Sequence, residues 1–311
     1  MATSTPDLTW HDQLTPMAAA AVREFLLDVA ARDGRPMVHP QGPRPDDLRG
    51  GEHLLAQREE TLLGYAHLDT GGDAFGRKVG ELFVSPRHRG AGLGAGLVSE
   101  VRRHAGIAEG AGDRLRLWSH GDDPAAAALA RRLGFTRVRE LLRMRLVFGS
   151  TGIGEPVLEE SVRIRGFSPG DDEASVARVN RRAFSWHPEQ GEMTEAEVRM
   201  TEEQDWFDPE GFLLAVDADD RLLGFHWTKV HPRVVADDSG APMGEVYVVG
   251  VDPHAQGRGL GKALTLAGLR YLHRAGLTQV MLYVESDNAA AIGLYESLGF
   301  RRWDADIQYS S

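Results

Sequence analysis

The chain has 311 residues, enough for two domains of ordinary size. Its 42% hydrophobic and 26% charged residues are typical of a globular protein and exclude a disordered or collagen-like chain. The net charge of −11 argues against a general affinity for nucleic acid or anionic membranes, and the absence of cysteine excludes disulfides and thiolate nucleophiles. We expect a cytoplasmic protein without a membrane-spanning segment or a signal peptide.

The first predicted element is a helix that begins after Thr15, with Pro16 at its first position and Gly34 as its stop signal. Strand-like segments follow, and the same order of elements returns in the second half behind a weaker helix at 171–184. The predicted strands lie at 53–58, 61–68, 79–84 and 114–118, and then at 211–216, 221–230, 245–251 and 279–284. Strands mixed with helices in this order predict a mixed α/β fold.

The two halves are also similar in sequence, which predicts two copies of one domain in tandem. The matching segments keep the same order in both copies: Leu62–Tyr65 with Leu222–Phe225, Val84–Gly94 with Val251–Gly261, and Leu133–Phe135 with Leu298–Phe300. The glycine-rich stretch Gly149–Pro156 is typical of a linker. We therefore expect a first domain at 1–148, a linker at 149–160 and a second domain at 161–311.

A glycine-rich turn joins a strand to a helix in each copy. The turns are Arg89–Gly94 and Gln256–Gly261. Glycines let the backbone approach a ligand closely, and the unpaired N–H groups at a helix start attract an anion, so each turn predicts a pyrophosphate site. A Walker A motif does not fit, because Ala263 follows Lys262, and the glycine spacing is not that of a Rossmann fingerprint.

This turn, behind a Val-x-Pro strand end and ahead of a Leu-Gly-Phe, resembles the GNAT family of acetyl-CoA-dependent N-acetyltransferases in both halves. The resemblance implies two tandem GNAT-type domains in which the turn amides hold the CoA pyrophosphate and the preceding strand binds the pantetheine arm. In the second copy it assigns to acetyl-CoA the residues Val249, Gly250, Val251, Gln256, Gly257, Arg258, Gly259, Leu260, Gly261, Lys262, Asn288, Ala289, Ala290, Ala291, Ile292 and Gly293. The matching residues of the first copy are Leu82, Phe83, Val84, Arg89, Gly90, Ala91, Gly92, Leu93 and Gly94.

Acetyl transfer to an amine needs a base for the ammonium, donors for the oxyanion and an acid for the departing thiolate. The resemblance implies that Glu245 is the base and Tyr295 the acid. The aligned first-copy residues are Lys78 and Ala130, which cannot take these roles. We therefore expect the second copy to be catalytic and the first to be a degenerate copy that keeps a CoA-type turn.

Several second-copy segments resemble one GNAT subfamily, the mycothiol synthases. They are His187–Gly191, Trp206–Pro209, Gly224–Pro232, Gly244–Pro253 and Leu282–Asn288. That resemblance implies a small-molecule substrate, cysteinyl-glucosamine-inositol, contacted by Glu189, Lys229, Glu245 and Tyr283. The subfamily's acidic contact from the first domain stays unassigned here, because Pro40 stands near its expected position after Asp33-Gly34.

Two further hypotheses stay open. One is a tandem GNAT enzyme that acetylates an aminoglycoside, an amino acid or a protein N-terminus, and the other is a non-enzymatic acetyl-CoA sensor. We expect no metal ion, because His226 and His231 lack the spacing of a metal motif and are interpreted as structural. We expect a monomer, since two similar domains can satisfy each other's sheet edges.

Overall fold

The computed structural model describes residues 6–34, 50–73, 75–108, 110, 112–149, 152–185, 191, 193–231 and 241–311. The helices are α1 Pro16–Asp33, α2 Leu93–His104, α3 Pro124–Arg132, α4 Glu173–Ala183, α5 Glu195–Glu202, α6 Leu260–Arg274 and α7 Ala289–Ser297. The strands are β1 Asp7–His11, β2 Glu52–Arg58, β3 Thr61–Asp69, β4 Lys78–Val84, β5 Leu115–His120, β6 Thr136–Val147, β7 Arg163–Gly166, β8 Phe212–Val216, β9 Leu222–His231, β10 Met243–Val251, β11 Gln279–Glu285 and β12 Arg301–Ser310.

The described residues form two compact units. The first runs to Leu142 and also includes Asp304–Ser311, and the second comprises the described residues from Arg143 to Trp303. The sequence placed the last residues, 304–311, in the second domain. In the structure they complete the sheet of the first unit.

Helix α1 begins and ends as the sequence predicted. The Thr15 side chain accepts a hydrogen bond from the Ala18 amide, and Gly34 ends the helix in the left-handed conformation with φ of 63°. Its buried face, Val22, Phe25, Leu26 and Val29, packs on Leu55 and Tyr65 of the sheet.

The sheet of the first unit has the order β1-β2-β3-β4-β5-β12. Strand β4 pairs antiparallel with β3 and parallel with β5, whereas β12 pairs antiparallel with β5. The parallel pairing of β4 with β5 covers Lys78–Glu81 and Leu115–Trp118 only. The last residues of β4, Leu82–Val84, pair with β3 alone among the described strands.

The second unit repeats this arrangement with the order β11-β10-β9-β8-β7. One face of its sheet packs on α4 and α5 through Val176, Val198, Phe225 and Trp227. The other face packs on α6 through Leu260 and Leu264. Each side of the sheet therefore has its own apolar core, and the mixed α/β fold predicted from the sequence is confirmed.

Strand β1 and helix α5 were not predicted. Helix α5 carries a capping box, in which the Thr194 hydroxyl accepts from the Glu197 amide and the Glu197 side chain accepts from the Thr194 amide. None of the helices in the described part of the chain is long and apolar enough to cross a membrane.

An ionic cluster joins β12 to β5 in the first unit. The Nε2 of His120 lies 2.5 Å from Glu81 Oε2, and its Nδ1 lies 3.6 Å from Asp306 Oδ1. Asp306 also accepts a hydrogen bond from the Gly121 amide at 3.0 Å. Partial desolvation of the imidazole opposes the cationic form of His120, but its contacts with the carboxylates of Asp306 and Glu81 raise its pKa to about 10. His120 is therefore a cation across the neutral range.

This cluster predicts a pH-dependent contribution of His120 to stability. Because the folded-state pKa of His120, about 10, exceeds the value of about 6.5 in the unfolded chain, the contribution is complete below about pH 6.5 and is lost as the pH rises through about 10. We expect the melting temperature of the native protein to exceed that of His120→Gln most at about pH 6 and to approach it near pH 10. A constant difference over that range of thermal unfolding measurements would contradict the assignment.

Candidate active site

The cleft of the second unit begins where two parallel strands stop pairing. Strands β10 and β11 pair only over Gly244–Val246 and Val280–Leu282, while β10 continues beside β9 as far as Val251. Among the described strands, none pairs with Val249–Val251 on the β11 side. A register shift between Val246 and Val248 leaves Tyr247 as an extra residue, and such a bulge bends and twists its strand. This unpaired backbone edge belongs to the strand that the sequence predicted for the pantetheine arm.

The glycine-rich turn lies at the start of α6. Gly257 and Gly259 are in the left-handed region with φ of 79° and 75°, and a Cβ at either position would meet no heavy atom within 4 Å. Gly259 provides no side-chain cap, and the first backbone bond of the helix runs from the Ala263 amide to the Gly259 carbonyl. The amides of residues 260–262 therefore have no helical partner and are available to an anion.

The side chains of this turn have partners of their own. Arg258 forms a two-point ion pair with Glu159, at 3.0 and 2.5 Å, and the Gln256 amide donates to the Val251 carbonyl at 3.4 Å. Lys262 is exposed. The pyrophosphate site predicted from the sequence would therefore consist mainly of backbone amides, with the exposed Lys262 next to them.

A cavity of about 870 Å³ opens beside the turn, within the range of small-molecule sites. Its wall includes Arg258, Lys262, Leu266, Ile153, Val157 and Leu298. The sequence did not predict this cavity, because its wall combines α6 with the segment at 152–157.

The predicted substrate residues Lys229 and Glu245 lie directly opposite each other on β9 and β10. Glu245 is buried, with 6% of its surface exposed. The Lys229 ammonium lies 4.6 Å from the centre of the Trp206 ring and 5.1 Å from that of Tyr247, which fixes its position through cation–π contacts. Burial and the charge of Glu245 both raise the pKa of Tyr247, so this phenol stays protonated. We call this surface, formed by Lys229, His231, Glu245, Tyr247 and Trp206, the acceptor face.

Three members of the acceptor face were not predicted as site residues: Trp206, Tyr247 and His231. The Nε2 atom of His231 lies 2.6 Å from Glu245 Oε2. The sequence signal that could have indicated Tyr247 and His231 is the alternation of side chains along a strand, because residues two apart on one strand lie on the same face of the sheet. The residue pairing between β9 and β10 could not be predicted from the sequence, because the bulge at Tyr247 changes the register.

Tyr295 lies on α7, buried against Phe300, with 5.7 Å between the ring centres. Burial raises the pKa of Tyr295 to about 12, so the hydroxyl keeps its proton at neutral pH. Asn288 caps the start of α7 by accepting a hydrogen bond from the Ala291 amide at 3.1 Å. Within the described residues, no hydrogen bond or ring contact joins Tyr295 to Glu245.

Of the two remaining predicted substrate residues, the structure describes Tyr283 but not Glu189. Tyr283 lies on β11, and the Arg143 guanidinium carbon lies 5.2 Å from the centre of its ring. Glu189 lies outside the described residues, as does Pro40 near the unassigned first-domain contact.

The first unit has a similar turn. Gly90 and Gly92 are left-handed with φ of 78° and 89°, and α2 begins directly after Gly92. Arg89 forms two hydrogen bonds to Asp33, at 2.7 and 2.9 Å. At the position aligned with Tyr295, Ala130 is buried. A turn with the same backbone conformation is present in this unit, but the hydroxyl of Tyr295 has no counterpart at Ala130.

Comparisons with known proteins identify the family. The model of the acetyltransferase (GNAT) family matches residues 23–135 and 179–300. The chain therefore belongs to the GNAT family of acetyl-CoA-dependent N-acetyltransferases, as the sequence predicted. It is 52% identical to a mycothiol acetyltransferase of Saccharomonospora viridis and 53% identical to one of Actinosynnema mirum. Each alignment covers 98% of this chain and at least 98% of the relative.

Solved structures support the same fold. A GCN5-related N-acetyltransferase from Sphaerobacter thermophilus superposes with a TM-score of 0.71 at 22% identity, covering 99% of this chain and 96% of that chain. A tandem GNAT protein from the clavulanic acid biosynthesis pathway gives a TM-score of 0.71 at 19% identity, covering 98% of each chain. The tandem GNAT architecture predicted from the sequence is thereby confirmed.

The turn at α6 predicts a specific loss on Gly259→Ala. Gly276, at the other end of the same helix, provides a matched control, because it also has positive φ and open space around it. Both alanines cost about 1 kcal/mol of backbone strain, but only Gly259→Ala disturbs the amides that face the pyrophosphate. Loss of one charge-assisted hydrogen bond, about 1.5 kcal/mol, weakens acetyl-CoA binding about tenfold. Calorimetric titration with acetyl-CoA measures the affinity of both variants. Equal affinities of Gly259→Ala and Gly276→Ala would contradict a pyrophosphate site at the start of α6.

Proposed function

We propose that this chain acetylates the cysteinyl amine of cysteinyl-glucosamine-inositol, as a mycothiol acetyltransferase. The observation that carries the proposal is an identity of 52% to a protein of that name over nearly the full length of both chains. The acceptor face supports it, because the two residues that the resemblance assigns to the substrate, Lys229 and Glu245, lie directly opposite each other on neighbouring strands.

The charges of the acceptor face fit a polyhydroxyl substrate with one amine. The Lys229 ammonium donates hydrogen bonds, and the Glu245 carboxylate accepts them. In the part of the chain that the structure describes, this face carries a lysine beside the glutamate rather than a group of carboxylates. A polycationic aminoglycoside would meet the Lys229 cation there, so the arrangement favours cysteinyl-glucosamine-inositol.

Glu245 is the proposed base. Its carboxylate accepts a proton from the cysteinyl ammonium, either directly or through a water molecule, and leaves the neutral amine as nucleophile. Acetyl-CoA supplies the acetyl group as a thioester. The backbone at Val249–Val251, which has no described strand partner on the β11 side, would offer N–H groups to the pantetheine arm and to the oxyanion of the thioester carbonyl.

Tyr295 is the proposed acid. Its hydroxyl gives a proton to the sulfur as the carbon–sulfur bond breaks and the new amide remains on the substrate. The high pKa of Tyr295 keeps the proton in place until the thiolate develops. The amides of residues 260–262 and Lys262 would hold the pyrophosphate, and the cavity beside the turn is large enough for the nucleotide end of CoA.

The first unit is proposed to be non-catalytic. Ala130 cannot donate a proton, and Lys78 stands at the position aligned with the proposed base. A monomeric, cytoplasmic protein remains the prediction from the sequence.

The substrate assignment predicts strict acceptor dependence. Purified protein should release free thiol from acetyl-CoA rapidly with cysteinyl-glucosamine-inositol and slowly with aminoglycosides, amino acids or N-terminal peptides. Glu245→Gln, which keeps the shape of the side chain but removes the base, should lower kcat about 100-fold or more without weakening acetyl-CoA binding. Turnover with an aminoglycoside instead would favour the wider GNAT hypothesis, and tight binding without any turnover would favour an acetyl-CoA sensor.

We expect removal of the Tyr295 hydroxyl to lower kcat in a similar way. Tyr295→Phe keeps the buried ring against Phe300 and should lower kcat about 100-fold with little change in acetyl-CoA affinity. Tyr271→Phe is the matched control, because that hydroxyl donates to Asp208 rather than facing the cleft. Steady-state kinetics of both variants would contradict the role of Tyr295 if their kcat values were equal.

A further inference from the structure

A buried histidine contacts the proposed base. His231 is the last residue of β9, and its Nε2 atom lies 2.6 Å from Oε2 of Glu245 on the neighbouring strand. The side chains are 3% and 7% exposed, so both lie beneath the surface. The sequence interpretation treated His231 as structural, and its contact with Glu245 gives it a more specific role.

A carboxylate buried to this extent needs a donor, because an uncompensated buried charge is costly. Since an ionised carboxylate only accepts hydrogen bonds, Nε2 of His231 must carry the proton and donate it to Oε2. That bond occupies one oxygen of Glu245. The second oxygen, Oε1, is left for the ammonium of the acceptor.

We infer that His231 is a positioning residue for Glu245: its hydrogen bond fixes the orientation of the carboxylate for proton transfer from the acceptor. This inference rests on the proposed role of Glu245 as base. Loss of the donor would let the carboxylate rotate away from the acceptor amine.

Other charged and titratable groups on the same side of the sheet also influence Glu245. Strand β9 contributes Lys229, directly opposite it, and β10 contributes Tyr247. Strand β11 places Tyr283 and Glu285 on the side of Met281, which pairs with Glu245, and Arg143 lies over the Tyr283 ring. His231 differs from these groups because it makes a direct hydrogen bond to the carboxylate.

A second buried histidine on β9 shows what a purely structural role looks like. His226 is fully buried on the opposite face, where Nδ1 lies 2.8 Å from the Leu264 carbonyl of α6. Burial lowers the pKa of His226 to about 4, so the ring is neutral and tied to a helix backbone. His226 and His231 therefore form a matched pair, equally buried and on one strand, of which only His231 contacts the acceptor face.

The experiment measures kcat and the KM for each substrate for the full chain with acetyl-CoA and cysteinyl-glucosamine-inositol. His231→Leu removes the donor, His231→Gln restores an N–H at a similar reach, and His226→Gln controls for the loss of a buried histidine. We expect His231→Leu to lower kcat about tenfold with little change in the KM for acetyl-CoA, because a misplaced base slows proton transfer. His231→Gln should recover most of this loss, and His226→Gln should keep the native kcat.

A double variant separates this inference from the proposed role of Glu245. If His231 acts through Glu245, adding His231→Leu to Glu245→Gln costs little further activity, since the group it positions is already absent. An active Glu245→Gln would overturn the base assignment itself. An inactive Glu245→Gln together with an unchanged kcat in His231→Leu would overturn the positioning role alone. Equal losses of kcat in the His231→Leu and His226→Gln variants would also overturn it, because a general structural effect would then suffice.

Discussion

The proposed chemistry depends on the point at which β10 and β11 stop pairing. Parallel strands normally bond along their length, and here the pairing ends after Val246 and Leu282. That early end leaves a backbone edge without a strand partner, and the bulge at Tyr247 bends the strand just before it. The same strand carries Glu245 before the bulge and the predicted pantetheine residues after it. The proposed base and the predicted thioester site therefore lie on one strand, β10, on either side of the bulge at Tyr247.

In the second unit, the two sides of the sheet carry different parts of the proposed site. Helix α6 packs on one side and presents its first amides at the end of β10, where a phosphate would bind. Helices α4 and α5 pack on the other side, next to the aromatic rings that hold Lys229. The donors for the cofactor are backbone groups, while the acceptor face uses side chains. Substitutions on the acceptor face can therefore change acceptor choice while the cofactor site is retained.

Local signals made much of this predictable from sequence. The Thr15 cap, the Gly34 stop and the paired glycine turns act within a few residues of the chain, so their structure follows from nearest neighbours. Contacts that depend on strand register were not predictable in this way. The bond between His231 and Glu245 needs the alignment of β9 with β10, and the cation–π contacts of Lys229 join β9 to Tyr247 on β10 and to Trp206 outside the sheet. The placement of 304–311 in the first unit depends on pairing between strands far apart in the chain.

That last strand also affects how the chain folds as it is synthesised. Strand β5 of the first unit is synthesised long before Asp304–Ser311, because the second unit is translated between them. Until then β5 lacks the strand that covers its edge, and open strand edges are sites of misassembly and aggregation. Closing so long a loop is also slow compared with forming local hairpins. The strand pairing that completes the sheet of the first unit can therefore form only after the second unit has been synthesised.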